Sequence, residues 1–119
     1  MLINSSFWKS KKVLLTGHTG FKGSWFTLLL LQLGADVCGY SLEPKNKDDL
    51  FNKIYPNISN KIKHKIGDIR DIQRLKNLVN AYKPDLVFHF AAQPLVIESY
   101  KDPITTWNTN VMGSLNLLE

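Results

Sequence analysis

The chain has 119 residues, 44% hydrophobic and 21% charged, a balance that suits one globular domain and excludes a fibrous or disordered protein. No apolar run approaches the roughly 18 residues that cross a bilayer, and the lone Cys38 excludes an internal disulfide and agrees with a reducing compartment. The net charge of +5 comes from scattered lysines without interleaved aromatic platforms, so it reads as solvated surface and no nucleic-acid partner is expected. At the N-terminus a weak apolar patch from Met1 precedes Lys9, Lys11 and Lys12. A signal peptide has the opposite order, so the expected location is the cytoplasm, with no membrane contact.

Strand-like apolar runs alternate with helix-length periodic segments along the chain. The first strand is read as Lys12–Thr16, ending at Gly17. A helix follows from about Lys22 to Leu33, stopped by Gly34; its run Trp25-Phe26-Thr27-Leu28-Leu29-Leu30-Leu31 is apolar nearly all round, which predicts burial on most sides. The second strand covers Asp36–Tyr40. Residues 42–60, with Pro44, Pro56 and several asparagines and lysines, read as a long connection with about one helical turn. The third strand, Ile62–Ile66, puts Ile62, His64 and Ile66 on one face and Lys61, Lys63 and Lys65 on the other, a pattern suited to a sheet edge.

Asp71 opens the next helix, with Ile72, Leu75, Leu78 and Val79 on one stripe. Pro84 precedes the fourth strand, Asp85–Phe90, and a polar loop around Gln93 leads to a short segment through Tyr100. Asp102-Pro103 has the form of a cap followed by proline at the first helical position. That helix carries the stripe Ile104, Trp107, Val111, Leu115 and Leu118, still running at Glu119. The reading is a chain that ends within an element. The alternation as a whole predicts a Rossmann-type, doubly wound parallel α/β sheet of about four strands in the order 3-2-1-4, with helices on both faces.

The chemistry-bearing motif is Thr16-Gly17-His18-Thr19-Gly20-Phe21-Lys22-Gly23, where the first strand turns into the first long helix. One glycine allows the tight turn, one lets a pyrophosphate approach the backbone, and one lets the helix pack against the strand. The anion then rests on the free N–H groups of the helix start. A purely structural turn gives the same letters, but the strand–helix context within a βαβ unit favours dinucleotide binding. A nucleoside-triphosphate loop is disfavoured, because it needs the lysine after the last glycine, whereas Lys22 precedes Gly23. His18, His64 and His89 have no acidic or thiol partners nearby and read as structural, so no metal site is expected. Cys38 reads as core.

The Gly17-x-x-Gly20-x-x-Gly23 spacing, together with Gly67-Asp68-Ile69-Arg70-Asp71, His89-Phe90-Ala91-Ala92-Gln93 and Asn110-Val111-Met112-Gly113-Ser114, resembles the extended short-chain dehydrogenase/reductase family, in its nucleotide-sugar epimerase/dehydratase branch. Gly39-Tyr40-Ser41-Leu42-Glu43-Pro44 and Ala91-Ala92-Gln93-Pro94-Leu95-Val96 extend the likeness over Phe7 to Leu118. The resemblance implies that Gly17, Gly20, Phe21, Lys22 and Gly23 surround the pyrophosphate of NAD. It places Tyr40 and Ser41 beside the adenosine ribose, Asp68 and Ile69 at the adenine, and Ala91, Ala92 and Gln93 along the nicotinamide ribose. Asn110 would sit behind the site, holding a water or a backbone group. Read from the residues alone, Asp68 equally suits a strand terminator that caps the next helix, and Asn110 a helix position satisfied by backbone. The second strand ends in Tyr40-Ser41 without acid or arginine, so NADP stays open beside NAD. Ile97-Glu98 replaces a basic residue that such relatives carry after Leu95-Val96.

The resemblance also implies a reaction: oxidation of a nucleotide sugar, with CDP-glucose as substrate, at C4, elimination of water across C5 and C6, and hydride return to C6. An epimerase or reductase of the same branch, or a non-catalytic dinucleotide-binding protein, shares these features. The family's Tyr-x-x-x-Lys pair is absent: Tyr40, Tyr55, Tyr82 and Tyr100 are followed four residues later by Pro44, Ser59, Leu86 and Ile104. No catalytic residue is therefore expected in this stretch, and residues 1–119 read as an incomplete NAD(P)-binding domain, inactive alone. A homodimer through the C-terminal helix is the implied assembly.

Overall fold

The structure is a computed structural model and describes residues 3–119; Met1 and Leu2, where the N-terminal apolar patch begins, lie outside the described residues. Four strands, β1 (Lys12–Thr16), β2 (Asp36–Ser41), β3 (Ile62–Ile66) and β4 (Leu86–His89), pair in parallel in the order β3-β2-β1-β4. The register aligns Val13 with both Val37 and Leu86, and Val37 with Ile62. Order, parallel pairing and the lysine-bearing strand at an edge all agree with the sequence pattern. β1 lies between two neighbours and under helices on both faces, which is why Val13, Leu14 and Leu15 form a continuous apolar run and are fully buried.

Side chains alternate across the sheet and so build two cores. On one face Val13, Leu15 and Val37 pack with Leu30 and Phe26 of α2 (Phe21–Gln32) and with Ile54, Tyr55 and Ile58 of α3 (Leu50–Ile58). Trp8 of a short N-terminal helix, α1 (Ser5–Trp8), closes the end of this core. On the other face Leu14, Cys38 and Tyr40 pack with Leu75, Leu78 and Tyr82 of α4 (Ile72–Tyr82) and with Leu117. Asp71 caps α4 by accepting from the Arg74 amide at 3.0 Å.

Three elements differ from the sequence reading. The connection 42–60 contains a nine-residue helix, α3; Phe51, Ile54, Tyr55 and Ile58 fall at helical spacing, and Pro56 with its flanking asparagines hid the stripe. α2 is not buried all round: Gly23, Ser24, Thr27 and Leu30 face the sheet, while Phe21, Trp25 and Leu29 are exposed. A single layer of helix over one sheet face buries only one side. The short segment through Tyr100 is a helix, α5 (Val96–Lys101). The helix expected from Asp102-Pro103 is present and capped by Asp102, but it is not uniformly α: it runs as α6 (Pro103–Trp107), a π-helical turn over Asn108–Met112, and α7 (Gly113–Leu118). Gly113 lets α7 lie close against Ile69, since a Cβ there would meet the Ile69 side chain. The stripe Ile104, Trp107, Val111, Leu115 and Leu118 faces solvent.

Candidate functional site

The loops after β1 and β4 meet at the carboxyl ends of the strands, where the strand order changes direction. Open α/β sheets bind ligands at such a switch point. Gly17 has φ +76°, a conformation that side chains rarely adopt, and a Cβ on it would lie 2.6 Å from both the Phe90 carbonyl carbon and the Ala91 amide nitrogen. The two loops therefore touch backbone to backbone. At Gly23 a Cβ would run into the Gly17 carbonyl, so α2 can lie against the turn only without a side chain there. Gly20 differs: its added Cβ would meet nothing nearer than Gly17 O at 3.4 Å. The space above it is open.

Gly20 is also the N-cap of α2, and no side chain caps it. The first-turn amides of a helix lack partners within it and carry the positive end of its dipole. Backbone donors thus converge beneath an open glycine, and a pyrophosphate is the group whose charge and size fit that cradle. Phe21 and Lys22 lie exposed at its edge. A cavity of about 480 Å³ runs from Thr19, Gly20 and Phe21 to Asp48, Asp49 and Lys53 at the start of α3. Thr19 fixes the cavity floor: its hydroxyl lies 2.8 Å from Ser41 Oγ and donates to the Leu42 carbonyl at 2.8 Å.

Tyr40 and Ile69 are core side chains. The Tyr40 ring is buried beneath Gly67, on the sheet face opposite the α2 core, and its hydroxyl donates to the Asp68 carbonyl at 2.9 Å. Only its backbone meets the loop, with its carbonyl accepting from the Gly17 amide at 2.9 Å. Ile69 packs below Gly113. The side chains of both residues therefore face the core. Asp68 does not cap α4, which Asp71 does; its carboxylate accepts from Arg70 Nε at 3.0 Å and Nη2 at 2.6 Å. Those hydrogen bonds hold the Asp68 carboxyl below the usual carboxylate range.

On the β4 side, Asn110 holds the backbone of Gln93 at both ends. Its Oδ1 accepts from the Gln93 amide at 2.8 Å, and its Nδ2 donates to the Gln93 carbonyl at 3.1 Å. Gln93 Nε2 in turn donates to Thr106 Oγ1 at 3.0 Å. Ala91 is half-buried, its amide donating to Thr16 Oγ1 at 3.2 Å, while Ala92 is exposed.

Sequence reasoning overlooked the interior of the phosphate loop. His18 is fully buried, with Nε2 2.7 Å from Nδ1 of His64, and its ring occupies the space that a side chain at Gly39 would take. Phe51 packs edge-on against it at 5.2 Å. Burial, reinforced by His64, pushes the His18 pKa down to about 3, and its Nδ1 faces the Tyr40 backbone without a hydrogen bond of good geometry. Burial also lowers His64, partly offset by Glu43. The signal available in the sequence was the inward position of His64 on β3. Among the described residues no cluster of three or more His, Cys, Asp or Glu side chains could hold a metal ion. No helix among them is long and apolar enough to cross a membrane.

Fold and loop together define a Rossmann-type chain with a glycine-rich turn at the switch point of its parallel sheet. Residues 14–119 match the family model described as GDP-mannose 4,6 dehydratase, and the chain belongs to that family. It is 48% identical to CDP-glucose 4,6-dehydratase of Salmonella typhimurium over 99% of this chain and 32% of that protein. It is 33% identical to GDP-mannose 4,6-dehydratase of Vibrio cholerae over 92% of this chain and 30% of that protein. Among solved structures, UDP-glucose 4-epimerase from Brucella ovis in complex with NAD superposes with a TM-score of 0.75 at 31% identity, covering 92% of this chain and 31% of that one. The Thermus thermophilus UDP-glucose 4-epimerase complex with NAD gives 0.77 at 31% identity, covering 90% and 32%. The chain thus spans about a third of the length of the relatives it matches.

Proposed function

We propose that residues 1–119 are the NAD-binding domain of a nucleotide-sugar 4,6-dehydratase whose substrate is CDP-glucose. The observation that carries this reading is the open, uncapped cradle at Gly20, framed by Gly17 and Gly23 at the switch point of the sheet. The first-turn amides of α2, with Gly17, Gly20, Phe21, Lys22 and Gly23, hold the pyrophosphate. Ser41 and the Tyr40 backbone flank the adenosine ribose, Asp68 and the Ile69 backbone meet the adenine, and Ala91, Ala92 and Gln93 form the nicotinamide-ribose wall. When bound, NAD supplies a hydride acceptor and donor. Asn110 keeps the Gln93 backbone in place, a supporting role rather than contact with reacting atoms.

The choice of dehydratase over epimerase is supported by the 48% identity to a CDP-glucose 4,6-dehydratase, against 38% to the UDP-glucose 4-epimerase of Rhizobium meliloti and 36% to that of Halalkalibacterium halodurans. The exposed stripe from Ile104 to Leu118 supports pairing with a second copy. Product analysis tests the reading. The longer enzyme carrying this domain, given CDP-glucose and NAD, should release a nucleotide sugar lighter by one water. A product of unchanged mass would point instead to epimerisation, and no binding of NAD at all would remove the enzymatic reading.

A further inference from the structure

Donor and acceptor counting around His89 determines the direction of an entire hydrogen-bond chain. Thr16 Oγ1 receives the Phe90 amide at 3.1 Å and the Ala91 amide at 3.2 Å, and lies 2.7 Å from His89 Nδ1. A hydroxyl oxygen has two lone pairs and one proton. The Phe90 amide is shared with the Thr16 carbonyl at 3.0 Å, so the direction of the chain is set at its far end. Ser114 gives its one proton to the Asn110 carbonyl at 2.6 Å and can only accept from His89 Nε2, which faces its Oγ at 3.0 Å. That leaves Nδ1 of the neutral ring to accept from the Thr16 hydroxyl. The π-helical turn over Asn108–Met112 carries Asn110, and single π turns inside helices often mark functional positions.

We infer that His89 is a positioning residue, locked as the neutral Nε2–H tautomer, which ties the end of β1 to α7 and through Asn110 sets the Gln93 backbone on the cofactor-facing wall. The chain runs Thr16 to His89 to Ser114 to the Asn110 carbonyl, and the Asn110 side chain then grips Gln93 at its amide and its carbonyl. Every member is neutral, and each hydroxyl and ring proton from Thr16 to Ser114 has one destination. In the alternative tautomer a bare His89 Nε2 would face a serine whose proton is already given to the Asn110 carbonyl. A charged ring would add an N–H donor to a Thr16 Oγ1 already approached by two backbone amides. The half-buried ring, with its pKa lowered by burial, suits the neutral state. His89 itself touches only protein, and its effect on a ligand passes through Gln93. This inference rests on the proposed dinucleotide site, since it assigns the Gln93 wall to the nicotinamide end and the glycine loop to the pyrophosphate.

Two measurements test it. Long-range nitrogen–proton NMR spectra at neutral pH should show His89 with a bare Nδ1 and a protonated Nε2; an Nδ1–H tautomer or a charged ring overturns the inference. The second measurement is calorimetric titration of NAD and of ADP, which shares the pyrophosphate and adenosine but lacks the nicotinamide riboside. Ser114→Ala removes one neutral hydrogen bond from the chain and should weaken NAD about two- to ten-fold while leaving ADP within about two-fold. Ser114→Thr keeps the hydroxyl and should restore NAD affinity. Equal losses for both ligands would mean a merely structural role, and no loss for either would mean no role, and both results overturn the inference. If the unaltered chain binds neither ligand, the dinucleotide reading fails on its own, and the cofactor-positioning claim falls with it.

Discussion

Acidification from pH 7.5 to 5.0 is expected to destabilise the chain through the buried His18–His64 pair, and the size of the effect follows from the site. Nε2 of His18 and Nδ1 of His64 stand 2.7 Å apart, a gap that holds one shared proton, and His18 is fully buried with its pKa lowered to about 3. In the unfolded chain the same histidine titrates near its ordinary value of about 6.5. The folded value is thus depressed, so its stabilising contribution is complete above about pH 6.5 and is lost as pH falls toward 3, because in that window the unfolded state binds the extra proton. Between pH 7.5 and 5.0 the loss from His18 alone is about 2 kcal/mol. That figure is set almost wholly by the distance of pH 5.0 below 6.5, and any folded value below about 4 gives nearly the same result. His64 shifts in the same direction and adds to it. Urea unfolding followed by circular dichroism at both pH values measures the loss. In His18→Gln, which keeps a hydrogen-bonding group without a titratable proton, the loss over the same interval should be smaller by about 2 kcal/mol. Equal losses in the two proteins, or a His18 ring that titrates near 6.5 by NMR, would refute the reasoning.

Gly20→Val should abolish NAD binding by calorimetry and leave the circular dichroism unchanged, since Gly20 has extended backbone at φ −73° and open space above it; equal binding by two folded proteins would sink the phosphate-loop assignment. Gly23→Ala acts in the opposite way, driving a Cβ into the Gly17 carbonyl, and should cost stability at or above the upper end of the about 1–3 kcal/mol seen for overpacking; an unchanged urea midpoint would contradict the packing described. Asp71→Ala removes the cap on α4 and should lower stability by about 0.5–2 kcal/mol without altering NAD affinity. The exposed stripe on α6 and α7 should give a dimer at high concentration, and a clean monomer by light scattering would count against it.

What the sequence determined by itself was whatever depends on neighbours along the chain. Period-two and period-3.6 apolar patterns located all four strands, the helices α2 and α4, and the last helix from Pro103, and right-handed crossovers left the order 3-2-1-4 as the expected arrangement. The glycine spacing of the phosphate loop was legible because its demands are local: a positive φ at Gly17 and close backbone approach at Gly23. α3 was hidden because Pro56 and asparagines break local propensity, while Phe51, Ile54, Tyr55 and Ile58 recover the helix only once there is a sheet for them to cover. Tertiary structure alone decided the rest. Whether Tyr40 and Ile69 face a ligand or the core depends on Gly67 and Gly113, which lie 27 and 44 positions further along. Asp68 is claimed by Arg70 and not by the helix that follows it, and no spacing rule chooses between those partners. The pairing of His18 with His64, and the chain from Thr16 through His89 to Ser114, join residues dozens of positions apart whose protonation states become defined only when burial removes water as an alternative partner.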